Sequence, residues 1–356
     1  MMISGIGMIS SLGLGISRFE EALRNGWQRP SEVPAHPRIG GTLPAYLVDL
    51  ASLPDKSLLK KVRRSDKVSK MLVLAASDAL INSGIERNAQ TRIGIIVATA
   101  FGPHVTTFSF LDDILDHGDV AVSPTTFSNS VHNAAASYVS MSLNIKGPTL
   151  TVTQFRFTFQ AALQLAQIWL DQGRCDHVLA GAVDEYGEVL GYVADHKLTT
   201  AKDGRITPFT LNPTCQVPGE GAAFLLLSRE KTENAYCEIG PIGIGCAVDA
   251  VAPVDLAILD ADGMLPDESA YRASLSTDVP AAAYSPLFGS MMIGSAFNVA
   301  AGALMLKQQM FYATPIQDNP HGIRLLTENG NAHIGSIRCI GYNCYAEKAE
   351  VCLTKL

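Results

Sequence analysis

Charged side chains, paired cysteines and long apolar runs are all scarce in this sequence of 356 residues. Only 17% of the residues are charged and 47% are apolar, which excludes a disordered chain and predicts a large buried core. The net charge of −7 argues against nucleic acid as the main partner. No stretch reaches the ~18 uncharged apolar residues that a membrane-spanning helix needs. We therefore expect a soluble protein with no membrane span.

The cysteines form no Cys-x-x-Cys pair and no cluster with histidine. Their odd number predicts reduced thiols in a cytoplasmic protein and no structural zinc. Residues 1–16 lack the basic start of a secretory signal and predict a buried strand and turn. We expect no metal and no cofactor. The seven cysteines are Cys175, Cys215, Cys237, Cys246, Cys339, Cys344 and Cys352.

Short apolar runs alternate with helical patterns along the chain. The runs are too apolar for half-exposed strands, which predicts a layered α/β fold. We expect one compact unit with two similar halves, residues 1–205 and 206–356. The predicted helices are 68–83 (stopped by Gly84), 158–171 and 298–311. The predicted strands are 2–9, 93–100, 149–155, 177–183, 221–228, 239–248, 254–261, 334–343 and 349–354.

Several short signatures follow one another in a fixed order. They are Ile3–Gly13, Val62–Lys67, Gly147–Pro148 before a strand, Thr207–Phe209 with Pro218–Ala222, and Ala300–Ala303. In this order they resemble the β-ketoacyl synthases of the thiolase fold, almost from end to end. The resemblance implies a thiolase-like, layered α-β-α-β-α fold with two pseudo-symmetric halves, each containing a five-stranded mixed sheet.

A ketosynthase needs a cysteine thiolate at a strand-to-helix turn. Counting from Gly147–Pro148, the resemblance puts Arg156 at the nucleophile position. No cysteine precedes Cys175, so a small misalignment would not restore the thiol.

The same resemblance implies two catalytic histidines and a lysine. The first histidine position holds Asp262, and the second falls on Ser295 or Ala296, depending on a one-residue gap. The stretch Gly289–Met292 lacks the lysine. The resemblance therefore implies that no catalytic residue remains in this site.

Arg156 should be paired if it is buried, because an unpaired buried charge is costly. The family geometry places the nucleophile beside the first histidine, which predicts an ion pair between Arg156 and Asp262 within about 6 Å. Two alternatives stay open. Arg156 could reach a partner subunit, or it could point into solvent.

In the family, two subunits pair through a central strand and the growing chain lies in a tunnel at their interface. This implies tunnel or interface residues in the segment after Gly102, in residues 126–133 and beside the turn. The alternatives are core packing for the phenylalanines and a satisfied interior or interface role for the histidine. The candidates are Phe127, Ser128, Val131, His132, Phe155 and Phe157.

Two further segments depart from the family or add to it. The glycine-rich gate loop of ketosynthases is replaced by Gly341, Tyr342 and Asn343, which predicts a fixed gate. The basic cluster would either dock an acidic carrier protein or, as we favour, form a solvated helix face. It consists of Lys60, Lys61, Arg63, Arg64 and Lys67.

These departures resemble the chain length factor of type II polyketide synthases, a non-catalytic subunit that pairs with an active ketosynthase. The expected function is to shape the tunnel during decarboxylative chain elongation on acyl carrier protein, which the complex binds. A length of 356 residues is short for such a factor and favours the aryl polyene type. The alternatives are an autonomous acyltransferase or hydrolase using Cys215 or Cys344, and a homodimeric acyl-binding protein.

Overall fold

A computed structural model describes the chain except for residues 37–39, 87, 89, 119, 121, 211–213, 246–253, 266–268, 275–277 and 321. The strands are β1 (Met2–Ser10), β2 (Gly13–Leu14), β3 (Ser31–Pro34), β4 (Thr42–Ala45), β5 (Ile93–Thr99), β6 (Thr149–Thr153), β7 (His177–Asp184), β8 (Gly221–Ser228), β9 (Cys237–Ile244), β10 (Leu256–Leu259), β11 (Ala281–Ala283), β12 (Met310–Phe311), β13 (Gly330–Asn331), β14 (Ser336–Tyr342) and β15 (Lys348–Thr354). The helices are α1 (Ile16–Asn25), α2 (Ser57–Lys61), α3 (Lys67–Ser83), α4 (His104–His117), α5 (Pro124–Ser130), α6 (Ala134–Leu143), α7 (Thr158–Asp171), α8 (Glu188–His196), α9 (Ser269–Ser274), α10 (Ser285–Phe288) and α11 (Ser295–Gln308).

Ten strands of one continuous mixed sheet fall into two five-stranded parts with the same pattern, which we call the two sheets. The first has the order β6-β5-β7-β8-β1 and the second the order β11-β10-β14-β15-β9. In each sheet the first three strands are parallel and the last two are added antiparallel. The two sheets join where Met2 and Ile3 pair with Glu238 and Cys237. This repeated strand order matches the mixed sheets of the predicted fold class, while the bounds of the two halves stay a prediction.

Helices fill the space between the two sheets and cover their outer faces. The central core combines α7 and α11 with strands of both sheets. On the outer side of the first sheet, α3 and α6 pack against β5, β7 and β8. On the outer side of the second, Tyr271 of α9 and Phe209 pack against β10, β11 and β14. This is the predicted α-β-α-β-α layering. Among the described helices, none is long and apolar enough to cross a membrane.

The predicted elements lie close to the observed ones where the sequence signal is strong. Helix α3 ends at Gly84, whose φ of 65° closes the helix in the left-handed region. Helix α7 matches its predicted bounds. Helices α4, α5 and α6, between β5 and β6, were not predicted. The predicted strand 239–248 extends into residues outside the described ones.

One strand prediction was wrong about burial. The run at 149–155 was expected to lie buried on both faces, but β6 is the edge strand of the first sheet and its residues are exposed or half-buried. Its free edge has no strand partner among the described residues.

The expected division at residue 205 falls between α8 and β8. Strand β8 pairs with β1 and β7 in the first sheet. The sheets themselves therefore divide after β8, and the boundary between the halves stays a prediction.

Candidate functional site

A tight turn connects the edge strand β6 to helix α7 and aims one side chain inward. Residue Phe157, immediately before the helix, has a φ of 63°, a left-handed conformation that is uncommon for a bulky residue. The side-chain amide of Gln154 donates a hydrogen bond to the carbonyl oxygen of Arg156 at 2.7 Å. The turn thereby fixes Arg156 at the start of α7, facing the second half of the molecule.

The predicted ion pair of Arg156 and Asp262 is confirmed. The guanidinium Nη1 lies 2.8 Å from Oδ2 of Asp262 and 3.9 Å from Oδ2 of Asp260. The Arg156 side chain is 15% exposed, so the alternative in which it points into solvent is wrong. Burial alone would lower the pKa of Arg156, but the carboxylates of Asp262 and Asp260 more than offset this and the pKa is raised.

Asp260 connects this ion pair to the rest of the second half. Its Oδ1 accepts hydrogen bonds from the Tyr271 hydroxyl at 2.6 Å and from the Ala261 amide at 2.7 Å. Its Oδ2 accepts one from the Tyr342 amide at 2.7 Å. Burial, and then the nearby charge of Asp262, raise the pKa of Asp260 to about 6, although Arg156 opposes the change. The pKa of Tyr271 is raised as well, by burial and then by Asp260.

Sequence reasoning missed Asp260 and Tyr271 as members of the site. Asp260 lies two residues before Asp262 in the sequence, and its acidity was a signal that could have been used. Tyr271 matches no motif, and only the fold brings it to Asp260.

The space around Arg156 is almost filled. A small cavity lies between the turn and the start of α11, and its volume is about 10 Å³, which is room for about one water molecule. Ser295, one of the two predicted histidine positions, lies at its wall with Oγ 3.4 Å from Oε1 of Gln160. Ala296, the other position, is buried in the central core. An acyl chain has no room here in this conformation.

The segment expected to be a fixed gate is part of a strand and a tight turn. Tyr342 is buried, and its ring meets that of Tyr271 edge-on at 5.3 Å. Gly341 packs against the Asp260 carboxylate. Asn343 accepts a hydrogen bond from the Glu347 amide at 2.9 Å, which closes the turn. These contacts hold the segment in place, and its relation to a gate stays a prediction.

Five of the six predicted tunnel residues lie on the surface. Phe127, Ser128, Val131, His132 and Phe155 are exposed, whereas Phe157 is buried. The core-packing alternative therefore holds for Phe157 only, and the interior alternative for His132 is wrong. The ring of Phe155 contacts that of Phe101 at 5.6 Å.

Exposed apolar side chains surround the free edge of β6. Helix α4 packs against α5, and α6 packs against both α5 and β6, so these elements are contiguous. We call this region the open face. Its exposed apolar residues are Val105, Phe108, Leu111, Leu115, Phe127, Val131, Leu150 and Phe155.

Two buried acids at the end of β7 hold the segment that runs from the end of β5 to the start of α4, and sequence reasoning missed both. Asp184 accepts hydrogen bonds from the Thr99 hydroxyl and the Ala100 amide, each at 2.9 Å. Glu185 accepts one from the Val105 amide at 3.2 Å. Burial, and then the charges of neighbouring acids, raise the pKa of Glu185 to about 8.

The basic cluster is divided in two by the fold. Lys60, Lys61, Arg63 and Arg64 are exposed, as a solvated helix face would be. The side chain of Lys67 is 34% exposed and instead forms a salt bridge with the fully buried Glu220.

The structure adds no support for Cys215 or Cys344 as an alternative nucleophile, nor for a metal site among the described residues. Cys344 is exposed and Cys215 is half-buried. The described residues contain no cluster of histidine, cysteine and acidic side chains that could hold a metal ion. Cys246 lies outside the described residues.

Comparison with known proteins identifies the family. Residues 1–233 match the family described as β-ketoacyl synthase, N-terminal domain. The 3-oxoacyl-(acyl-carrier-protein) synthase 2 of Staphylococcus aureus (strain COL) is 25% identical over 268 residues, covering 70% of this chain and 63% of the relative.

Two solved structures share the fold over 100% of this chain. A β-ketoacyl synthase from Burkholderia phymatum STM815 has a TM-score of 0.79 at 18% identity, with 99% of that chain covered. The ishigamide ketosynthase/chain length factor has a TM-score of 0.80 at 16% identity, with 98% covered. At these identities the likeness shows the fold alone, whereas the match over residues 1–233 shows the family. The chain belongs to the β-ketoacyl synthase family.

Proposed function

We propose that this chain is a non-catalytic ketosynthase-like subunit, a chain length factor. It pairs with an active β-ketoacyl synthase and shapes the acyl tunnel during chain elongation on acyl carrier protein. In this role the chain is a pseudoenzyme, and condensation takes place in the partner subunit.

The ion pair of Arg156 with Asp262 is the observation that carries this proposal. Arg156 stands where the family resemblance puts the thiolate, and Asp262 stands where it puts a histidine. A guanidinium in these surroundings keeps its proton and has no lone pair with which to attack a thioester. The remaining cavity of about 10 Å³ leaves no space for substrate beside it.

The open face supports the presence of a partner. An edge strand with exposed main-chain groups is a template for pairing with another chain. Leu150 of β6 is 39% exposed and Phe155 beyond it is 65% exposed. Neighbouring apolar side chains at such an edge are typical of a protein–protein interface. A second ketosynthase-like subunit would cover them.

The relatives fit this assignment at a general level. The staphylococcal relative is named for acyl carrier protein, and the ishigamide structure holds a ketosynthase and a chain length factor. We extend both features to this chain as part of the proposal. The aryl polyene type stays a prediction.

Co-expression with an active β-ketoacyl synthase from the same organism tests the proposal. We expect the two chains to co-purify, and only the pair to elongate malonyl units on a carrier protein. Reaction of this chain alone would overturn the proposal and favour a relocated nucleophile, which Cys215→Ala and Cys344→Ala would then locate. A stable homodimer that ignores the ketosynthase would instead favour an acyl-binding protein.

A further inference from the structure

An arginine outside the proposed function lies stacked on one of the two tryptophans of the chain. The guanidinium carbon of Arg205 is 3.7 Å from the centroid of the Trp27 ring. The indole is itself held, because its Nε1 donates a hydrogen bond to the carbonyl oxygen of Gly204 at 3.3 Å. Stacking of this kind orients a guanidinium while leaving its N–H groups free to donate.

Those N–H groups have no partner among the residues that the structure describes. Among the described residues, no carboxylate lies within ion-pair distance of Arg205, and no side chain or carbonyl accepts a hydrogen bond from its guanidinium. Elsewhere in the chain, Arg92 and Arg156 each bind a carboxylate. The guanidinium of Arg205 is therefore oriented but unpaired among the described residues, and its N–H groups remain available to bind an acceptor from outside the chain.

The free donors lie at a cleft that is open to solvent. Its walls include Trp27, Thr207, Pro286 and Gln317. Its inner volume is about 10 Å³, which accommodates a group about the size of one water molecule. An oxygen atom of a small ligand fits this space while the rest of the ligand stays at the mouth.

We propose that this cleft binds a small oxyanion, a phosphate or carboxylate group, through the planar fork of Arg205. Two parallel N–H donors match the two oxygens of such a group. Thr207 and Gln317 supply further donors at the wall. The apolar surfaces of Trp27 and Pro286 reduce the access of water to the pair.

The carboxylate of Asp318 allows a test that distinguishes a specific anion site from nonspecific attraction of anions to basic surface. It is exposed and lies at the same cleft, where its negative charge opposes an anion. Its neutral isostere should therefore bind the anion more tightly. A purely nonspecific attraction to basic surface would change equally when any nearby cation is removed.

The two tryptophans provide a direct readout in the full chain. Trp27 lies under Arg205, and Trp169 is 6% exposed within the central core. We would follow both indole N–H resonances of the labelled protein during titration with sodium phosphate or sodium acetate, against sodium chloride at equal ionic strength. Trp27→Phe assigns the two resonances.

The proposal predicts a saturable shift of the Trp27 resonance with at least one oxyanion, while that of Trp169 stays in place. Arg205→Gln and Arg205→Lys should each weaken binding by about tenfold or more, since the lysine keeps the charge but loses the fork. Asp318→Asn should strengthen binding, and the exposed neighbour variant Lys202→Gln should leave it unchanged. The relative affinities of phosphate and acetate identify which anion is the source. An equal response to chloride, or full binding by Arg205→Gln, would overturn the proposal.

Discussion

The ion pair and the open face meet in the sequence at Arg156 and Phe155, yet the two regions treat polar groups in opposite ways. At Arg156 the chain surrounds a charge with two carboxylates and excludes nearly all water. At Thr153 it ends a strand whose outer edge has no partner among the described residues. The charges of the interior site are paired and buried, whereas the edge strand at the surface lacks a strand partner among the described residues. This contrast is what the proposed function requires.

The largest expected effect is on stability and comes from removing the cation of the buried ion pair. Arg156→Ala would leave Asp260 and Asp262 buried without a cation, and we expect it to lower the free energy of unfolding by about 3–5 kcal/mol. Urea denaturation measures this. The matched control is Arg92→Ala, which breaks an exposed pair with Asp176 and should have a much smaller effect. Equal losses in the two variants would mean that the buried pair is not special.

The second prediction concerns the exposed edge strand β6 and its binding of a partner subunit. Leu150→Lys places a charge on the exposed edge strand, and we expect it to weaken binding of the partner ketosynthase by about 100-fold. The stability of the isolated chain should change by no more than about 0.5 kcal/mol. Ile81→Lys, at an exposed position of α3, is the control and should bind normally. Co-purification and binding titration report both results.

The third prediction concerns how Asp260 makes the stability of the protein depend on pH. The pKa of Asp260 is raised in the folded state to about 6, so its proton favours folding. This contribution is complete below pH ~4 and is lost as the pH rises through about 6. Asp260→Asn removes it, on the order of 1–3 kcal/mol.

The measurement is the free energy of unfolding of both proteins between pH 4 and 8. The wild type should lose stability relative to Asp260→Asn as the pH rises, because other raised acids such as Glu185 are common to both. A constant difference between the two curves would contradict the assigned pKa.

The smallest effect on stability, with a separate effect on function, is expected at Phe155. The side chain is 65% exposed, so Phe155→Ala should change the free energy of unfolding by about 0.5 kcal/mol or less. In the complex with the ketosynthase, however, the lengths of the products should shift. Mass spectrometry of carrier-bound chains would show this, and an unchanged distribution would remove Phe155 from the tunnel.

The sequence predicted those parts of the fold that depend on local pattern. Continuous β-branched runs such as Ile93–Thr99 lie in the middle of a sheet, where such runs belong. Strand β6 has a similar pattern, but a single chain does not show whether a strand lies at the edge. Its exposure was therefore mispredicted, although the strand itself was found.

The candidate site shows the same division. Arg156 and Asp262 were paired correctly because the family register fixes both positions. Tyr271 and Glu185 were missed because their roles depend on tertiary contacts outside their own elements, Tyr271 with Asp260 at a separation of 11 residues and Glu185 with Val105 at a separation of 80. No periodicity within either segment reports such contacts.

The ion pair at Arg156 also limits which substitutions could create a nucleophile at this turn. Arg156→Cys alone would not yield a reactive thiolate, because two buried carboxylates would remain beside the thiol and would raise its pKa. Replacing Asp262 first would leave the guanidinium short of its main partner. Each single substitution therefore costs stability before any thiolate is in place.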